Sequence, residues 1–234
     1  MKPTDDLLGK PLALVVALAL VSLLPFLFMS LTAFVKISTV LQIVRSAIGV
    51  TQVPSNTVVM AFSAVLTLLA MAPVGSDIAS RAAPLVTAKA TPETSVLVKE
   101  GWKAVAEPLR GFLAANASSE EKGRFFDVAK KARERGEARL SEGKGETKPS
   151  PVLPDDFTVL APAFMVTELT EAFSIGFLLY LPFLVIDLVI ANVLLALGMQ
   201  MLSPTQVSLP FKLLLFVAIN GWGLLAQALV ASYR

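Results

Sequence analysis

The sequence predicts an all-α membrane protein, in which long kinked helices form two helical hairpins on either side of a soluble helical insert. The first observation is apolar content, because 55% of the residues are hydrophobic and the mean hydropathy is +0.70. The second is that the apolar residues form long runs, at residues 11–34, 53–74, 172–199 and 207–231. Each run approaches or exceeds the roughly 20 residues that cross a bilayer as a helix. The third is that most of the charged residues lie in the middle of the chain.

These patterns divide the chain into three parts. Residues 1–74 are expected to form an N-terminal hydrophobic hairpin, and residues 157–234 a C-terminal one. Residues 75–156 carry most of the Lys, Arg, Asp and Glu, which predicts a solvated helical insert. Within this insert, residues 136–154 are rich in Gly, Glu, Lys, Ser and Pro, a composition that predicts a mobile segment.

The N-terminal hairpin begins with an apolar run that is longer than the core of a secretory signal peptide, so an uncleaved first span is expected. Pro25 predicts a break or kink within this span. Residues 34–48 have apolar side chains at helical spacing, which predicts an amphipathic continuation of the same helix. Gly49 predicts the end of this continuation, and Pro54 predicts the start of the second span.

Two helices are predicted in the insert. The first covers residues 102–115, with Pro108 near a boundary or a kink. Ser118 and Glu121 have the spacing of a capping box, which predicts that the second helix starts there. The alternating charges that follow are typical of a solvated helix face.

The C-terminal hairpin is predicted to contain two apolar helices joined by a short turn that carries Met199, Gln200 and Met201. Gly198 and Pro204 predict helix breaks on either side of this turn. The two methionines are either ordinary apolar turn residues or a flexible seal. Methionine is flexible and polarizable, so a ring of such turns could close a pore against small solutes and deform around a passing chain.

The first helix of this hairpin is longer than a membrane requires. A straight helix over residues 162–199 would measure roughly 57 Å, against a hydrocarbon core of about 30 Å. Part of the helix must therefore lie outside lipid or bend. Gly176 and Pro182 are the predicted helix breaks.

Within its apolar run, each helix of the C-terminal hairpin carries one charged residue, Asp187 on the first and Lys212 on the second. A charge at the bilayer centre costs at least ~3 kcal/mol, so both should face protein or a water-filled cavity. Counted from the turn, the two are roughly 7 Å out of register. Pairing within the hairpin is thus marginal, and pairing with another helix or subunit, or a role in an ion relay, stays open. Glu168 and Glu171 lie one helical turn apart, and a capping, solvated or inter-subunit role is expected for them.

Several function classes find no support in the sequence. The chain has no Cys and no His, so disulfides, thiol nucleophiles, Cys/His metal sites and histidine acid–base chemistry are excluded. It also has no GxSxG or GxGD motif that would indicate an intramembrane hydrolase. The net charge of +2 does not indicate a nucleic-acid partner. We therefore expect no enzyme activity, no metal and no cofactor.

Four long blocks of the sequence resemble the P/R family of type III export-gate proteins, which has flagellar (FliP) and injectisome members. They are LPFLVIDLVIANVLLALGMQMLSPTQVSLPFKLLLFVAINGW, MSLTAFVKISTVLQIVRSAIGVTQVPSNTVVMAFSAVLTLLAMAPV, EPLRGFLAANASSEEKGRFFDVAKKA and PAFMVTELTEAFSIGFLLYLPFLVIDL. The resemblance favours the injectisome branch, because FVKIS replaces the usual flagellar form with arginine. The first span also begins almost at once, whereas flagellar members have a cleaved signal peptide.

The resemblance implies a pore-forming subunit without enzyme activity. About five copies would assemble with two smaller export-gate subunits and the switch protein, as the entry pore for unfolded polypeptide in the bacterial inner membrane. Met199, Gln200 and Met201 would form the pore gasket, with Gln200 where many members have a third Met. The family's buried or inter-subunit charges correspond to Glu168, Asp187 and Lys212.

The positively charged residues of the first connection predict the orientation of the chain in the membrane. Lys36 and Arg45 favour a cytoplasmic first connection, which would place the charged insert of this multi-pass protein on the periplasmic side. The alternatives are a flagellar export-gate paralogue or, in a different class, a small secondary transporter, suggested by LPFL and TQV, each of which occurs twice. The central hypothesis is that the hairpins are incomplete alone and satisfy their charged groups by closing into a ring.

Overall fold

The computed structural model describes residues 5–50, 54–87, 94–141 and 151–233. These residues contain helices and no strand, which confirms the all-α prediction. The helices are α1 (Asp5–Leu31), α2 (Phe34–Ile48), α3 (Asn56–Ala70), α4 (Ala72–Thr87), α5 (Thr94–Asn116), α6 (Ser119–Ser141), α7 (Phe157–Ala196), α8 (Pro204–Ala218) and α9 (Gly221–Ala231).

The fold is built around α7, a helix of 40 residues with Pro162 and Pro182 inside it. At 1.5 Å per residue it is about 60 Å long, twice the thickness of a hydrocarbon core. Among the described residues it is the one single helix that is long and apolar enough to cross a membrane. Helices α1, α2, α5, α6 and α8 all pack against it.

Three further candidate spans are helix pairs that bend sharply in the middle. Residues 21–31 of α1 and α2 meet at 67°, α3 and residues 72–85 of α4 at 58°, and α8 and α9 also at 58°. By length and composition, the described residues therefore contain one membrane-length helix, or up to four spans if each bent pair counts as one.

The expectation that residues 34–48 continue the first helix is wrong, although α2 covers the residues that the pattern predicts. The helix breaks at residues 32 and 33. There the Thr32 hydroxyl donates to the Phe28 carbonyl (2.6 Å) and accepts from the Phe34 amide (3.3 Å). Such side-chain bonds compete with the helical backbone pattern and favour a break.

Predicted helix breaks occupy two kinds of position. Pro25, Gly176 and Pro182 lie inside continuous helices, so none of them ends a helix; a bend at these positions stays a prediction. Gly198 and Pro204 lie at the two ends of the turn between α7 and α8.

Gly176 has a packing role that the sequence does not reveal. A Cβ atom at this position would lie 2.5 Å from Cδ1 and 2.9 Å from Cγ2 of Ile43 on α2. The absence of a side chain thus allows α2 to approach α7 closely, and these two helices share the most extensive contact in the fold.

Two apolar cores lie along α7. The larger joins α2 to α3, α7, α8 and α9, and its fully buried members include Ile37, Val40 and Leu41. The smaller joins the insert to the first part of α7; its buried members are Phe112, Leu113, Ala117, Leu160, Ala163 and Phe164. The insert is therefore packed on the long helix as well as connected to it.

Within the insert, α5 contains Pro108 in its interior, and α6 starts where the capping box predicts. The Ser118 hydroxyl accepts from the Glu121 amide at 3.2 Å, whereas the Ser118 amide donates to Thr167 on α7 at 3.0 Å. The predicted boundary between residues 74 and 75 falls inside α4. Of the segment 136–154 that is predicted to be mobile, residues 136–141 belong to α6 and residues 142–150 lie outside the described residues.

Candidate functional site

The turn between α7 and α8 has a well-defined backbone structure. Gly198 adopts the left-handed conformation (φ +75°), which favours glycine. Its amide donates to the Leu195 carbonyl (3.0 Å), and the Met199 amide donates to the Leu194 carbonyl (2.9 Å). These two bonds form a Schellman motif, which ends the helix and satisfies its last carbonyls. Helix α8 then starts with Pro204 in its first turn, where the backbone N–H that proline lacks would have no partner within the helix.

The turn presents methionine outward. Met201 is 99% exposed and Met199 is 45% exposed. Gln200, which lies between them, is also exposed. We call residues 198–203 the methionine turn. Its exposed apolar tip forms a surface that the described residues leave uncovered.

Asp187 and Lys212 form an ion pair behind the methionine turn. The Lys212 Nζ lies 2.6 Å from Asp187 Oδ2, and the Ser208 hydroxyl donates to Asp187 Oδ1. Lys212 also donates to the Ala47 carbonyl at 3.2 Å. Ala47 lies at the C-terminal end of α2, where exposed carbonyls attract a cation. We call Asp187, Ser208 and Lys212 the Asp187 cluster; it joins α7, α8 and α2.

This pairing corrects part of the sequence interpretation. The helical rise alone makes a bond within the hairpin marginal, but the flexible four-carbon stem of Lys212 covers the offset. Both groups are therefore neutralised within one copy of the chain. The hypothesis that these charges require a closed ring of subunits is not supported, and the case for assembly has to rest on other surfaces.

A second buried cluster involves Lys36, which is 2% exposed. Its Nζ lies 3.2 Å from Glu168 Oε1 and 2.8 Å from Glu171 Oε2. Glu168 is fully buried, whereas the Glu171 side chain is 51% exposed. The sequence indicates Lys36 only as a cation of the first connection, and it indicates no partner for the two glutamates. The one available signal was a lysine within the apolar start of α2.

Tyr233 completes this second cluster from the other end of the chain. Its hydroxyl donates to Glu168 Oε2 and lies 3.1 Å from the Ala33 carbonyl. Its ring lies 4.3 Å from Lys36 Nζ and stacks on Phe112. Burial, together with the Glu168 carboxylate, raises the pKa of Tyr233, so the hydroxyl stays a donor. We call Lys36, Glu168, Glu171 and Tyr233 the Lys36 cluster; it ties α2, α5 and α7 to the end of the chain.

Both clusters are arranged as ion pairs between helices, which suits a structural role. Among the residues that the structure describes, no three His, Cys, Asp or Glu side chains are grouped so that they could hold a metal ion. In contrast to these paired groups, the side chains of Met199, Gln200 and Met201 in the methionine turn stay exposed in the part of the chain that the structure describes.

Large apolar side chains are exposed along α1 and α7. They include Leu18, Val21, Leu24 and Phe26 on α1, and Phe173, Phe177, Leu178, Leu188 and Leu195 on α7. Contiguous apolar surface of this kind marks contact with lipid or with other protein chains.

Known proteins are similar to this chain over most of its length. The sequence profile of the FliP family matches residues 17–229. The hypersensitivity response secretion protein HrcR of Ralstonia nicotianae is 42% identical over 223 residues, which cover 95% of this chain and 97% of that protein. The Yop proteins translocation protein R of Yersinia pestis is 40% identical over 94% of this chain and 95% of its own. The flagellar biosynthetic protein FliP of Cereibacter sphaeroides is 41% identical over 95% of this chain and 66% of its own.

Proposed function

This chain belongs to the FliP family of protein-export components, and we propose that it is a core subunit of the entry pore of a type III secretion apparatus. Members of this family are structural parts of the apparatus and not enzymes. The relatives named for secretion and translocation support the injectisome branch. The substrate would be unfolded polypeptide that passes through the pore.

The observation that carries the proposal is the exposure of the methionine turn. Met201 is 99% exposed at the tip of a hairpin whose charged residues are already paired. Burying a methionine side chain stabilises by about 1.5–3 kcal/mol. Several copies whose turns meet around one axis would each gain this contribution, and the meeting point would close a pore.

The chemistry of the turn suits a seal that must open. Methionine side chains are unbranched and polarizable, so they fill an irregular gap and adapt when a chain enters it. Gln200 adds a polar amide to the seal, between Met199 and Met201. Entry of a polypeptide would then displace the side chains of the methionine turn, while the Schellman motif would hold the backbone of the turn in its conformation.

The assembly that we propose contains about five copies in a symmetric or helical arrangement, with two smaller export-gate subunits and the switch protein. The exposed apolar faces of α1 and α7 supply its contacts with neighbouring subunits and with lipid. The charged pairs then stabilise each copy, and the apolar faces join the copies.

The protein is a membrane component of a secretion apparatus, and we place it in the bacterial inner membrane as a multi-pass protein. The proposed periplasmic position of the insert follows from the cations of the first connection and an even number of spans. Lys36, one of these cations, is ion-paired with Glu168 and Glu171.

The mass of the native complex tests this proposal against a secondary transporter. Extracted in a mild detergent, an export-gate subunit is expected in a large hetero-oligomer with several copies of this chain. A solitary monomer or dimer with a binding site inside one chain would instead indicate a transporter. A flagellar paralogue would form a complex with flagellar partners, which their identification by mass spectrometry distinguishes.

A further inference from the structure

The second arm of the C-terminal hairpin is broken between α8 and α9 by a strained residue. Asn220 has φ +51° and ψ +48°, and it is the one residue other than glycine with a positive φ among those described. Side chains of L-residues clash in this conformation, and Asn is among the few that adopt it. Strain of this kind persists where the surrounding structure requires it.

The residues next to Asn220 are adapted to the break. A Cβ atom at Gly221 would overlap the ring of Phe216, and one at Gly223 would lie 2.6 Å from the Asn220 side-chain amide. Both glycines therefore leave room for groups that define the break. Asn220, Gly221 and Gly223 together set the geometry of the break, and the backbone torsion angles of Asn220 alone do not.

The same bend elsewhere in the chain is made without strain. Helices α3 and α4 meet at 58°, as do α8 and α9. At the α3 end, Met71 has an ordinary φ of −87°. A bend of this size thus does not itself require the left-handed conformation, which is specific to Asn220.

The break separates two groups of contacts. Helix α9 packs on α3, where Trp222 meets Phe62 edge to face at 6.2 Å. Helix α8 is bound to α7 by the Lys212–Asp187 pair and to α2 by the bond from Lys212 to the Ala47 carbonyl. The two helices also meet across the break, where the ring of Phe216 on α8 lies 5.1 Å from that of Trp222 on α9, and both helices contribute to the larger apolar core.

We propose that Asn220 and Gly221 form a hinge about which α8 turns as a rigid helix to open the methionine turn. This inference rests on the proposed function and adds the moving part of the pore. Helix α8 is about 22 Å long, so a rotation of about 10° would move its far end by about 4 Å. Because Asp187 on α7 and Ala47 on α2 belong to helices that stay packed together, this motion opens both bonds of Lys212.

Distances between spin labels test the hinge in the assembled complex. The chain has no cysteine, so labels can be attached to cysteines introduced at exposed positions in a minority of the copies. The pair Leu68→Cys and Gln206→Cys joins α3 to the start of α8. The control pair Leu68→Cys and Gln227→Cys joins α3 to α9. When a polypeptide is trapped in the pore, the first distance should change by about 4 Å or more, and the second should stay constant.

Substitutions at the hinge supply the second test. Asn220→Val disfavours the left-handed conformation and should abolish the change, while Asn220→Gly permits this conformation and should keep it. Gln227→Val, on the exposed face of α9, controls for a β-branched residue in the same arm. Equal changes in both distances, no change in either, or a normal response from Asn220→Val would overturn the hinge.

Failure of the hinge and failure of the proposed function give different results. If the complex passes no polypeptide, the pore function fails. The hinge is then judged in the empty complex, where Asn220→Val should shift the Leu68–Gln206 distance and leave Leu68–Gln227 unchanged. If export is normal but the Leu68–Gln206 distance stays constant, the function stands and the hinge is wrong.

Discussion

Asp187 and Lys212 lie on opposite arms of one hairpin, and their charged groups are 2.6 Å apart within a single chain. Lys212 is almost fully buried, and it makes a further bond to the end of α2. The pair therefore holds three helices together, roughly 15 Å along the hairpin from the methionine turn. These two charges are therefore neutralised within one chain.

Removing one partner of this pair should destabilise the protein strongly. Lys212→Met leaves the Asp187 carboxylate, which is 27% exposed, without its cation, so the cost should be below the roughly 3–5 kcal/mol of a fully buried pair. Adding Asp187→Asn removes the stranded charge and should restore part of the loss. The measurement is the midpoint of thermal unfolding in detergent.

The control is the exposed pair Arg124–Glu120, in which Arg124 is 64% exposed. Arg124→Ala should change stability by at most ~1 kcal/mol. Equal stability of Lys212→Met and the unaltered protein would show that Asp187 finds another partner.

The hydroxyl of Tyr233 should matter more than its position near the end of the chain suggests. Tyr233→Phe keeps the ring stacking but removes the donor to Glu168, and a hydrogen bond to a charged group is worth about 1.5–3 kcal/mol. Resistance to proteolysis and the unfolding midpoint both report the loss. Tyr180→Phe, at a residue that is 37% exposed, is the matched control, and an equal effect of both substitutions would contradict the role of Tyr233.

Gly176 should not tolerate a larger side chain unless Ile43 becomes smaller. Gly176→Val places carbon atoms where Ile43 lies, and overpacking of this kind typically costs about 1–3 kcal/mol. Ile43→Ala on the same chain should recover part of the loss, as a double-mutant cycle of unfolding free energies would reveal.

Gly101→Ala supplies the comparison for Gly176, because no atom lies within 4 Å of a Cβ there. It should be neutral or stabilising by about 0.5–1 kcal/mol. If Gly176→Val behaves like Gly101→Ala, the close approach of α2 to α7 is not a constraint.

Features determined by neighbouring residues were predicted well from the sequence. The end of α2 at Gly49, the cap at Ser118 and the glycine and proline around the methionine turn each depend on contacts within a few residues. The resemblance to the export-gate family is confirmed by a profile match over residues 17–229. It extends over several long blocks, so it does not depend on any one contact.

Features determined by distant residues were missed. Lys36 and Glu171 are 135 positions apart, and Ala33 and Tyr233 are 200 apart. No periodicity connects such residues, so the Lys36 cluster could not be inferred. Gly176 was interpreted as a helix break, because the sequence does not show that Ile43 of another helix needs the space. The strain at Asn220 was not predicted, because it is visible only in the backbone conformation.

Conductance of the assembled complex tests the central claim most directly. Chains with Met199→Ala and Met201→Ala should assemble normally but leak small ions several-fold more, because alanine leaves gaps where methionine fills the closed pore. Met29→Ala is the matched control, since Met29 is 43% exposed on α1 and should not affect the leak. Unchanged conductance of the double variant in a fully assembled complex would contradict the seal that we propose for the methionine turn.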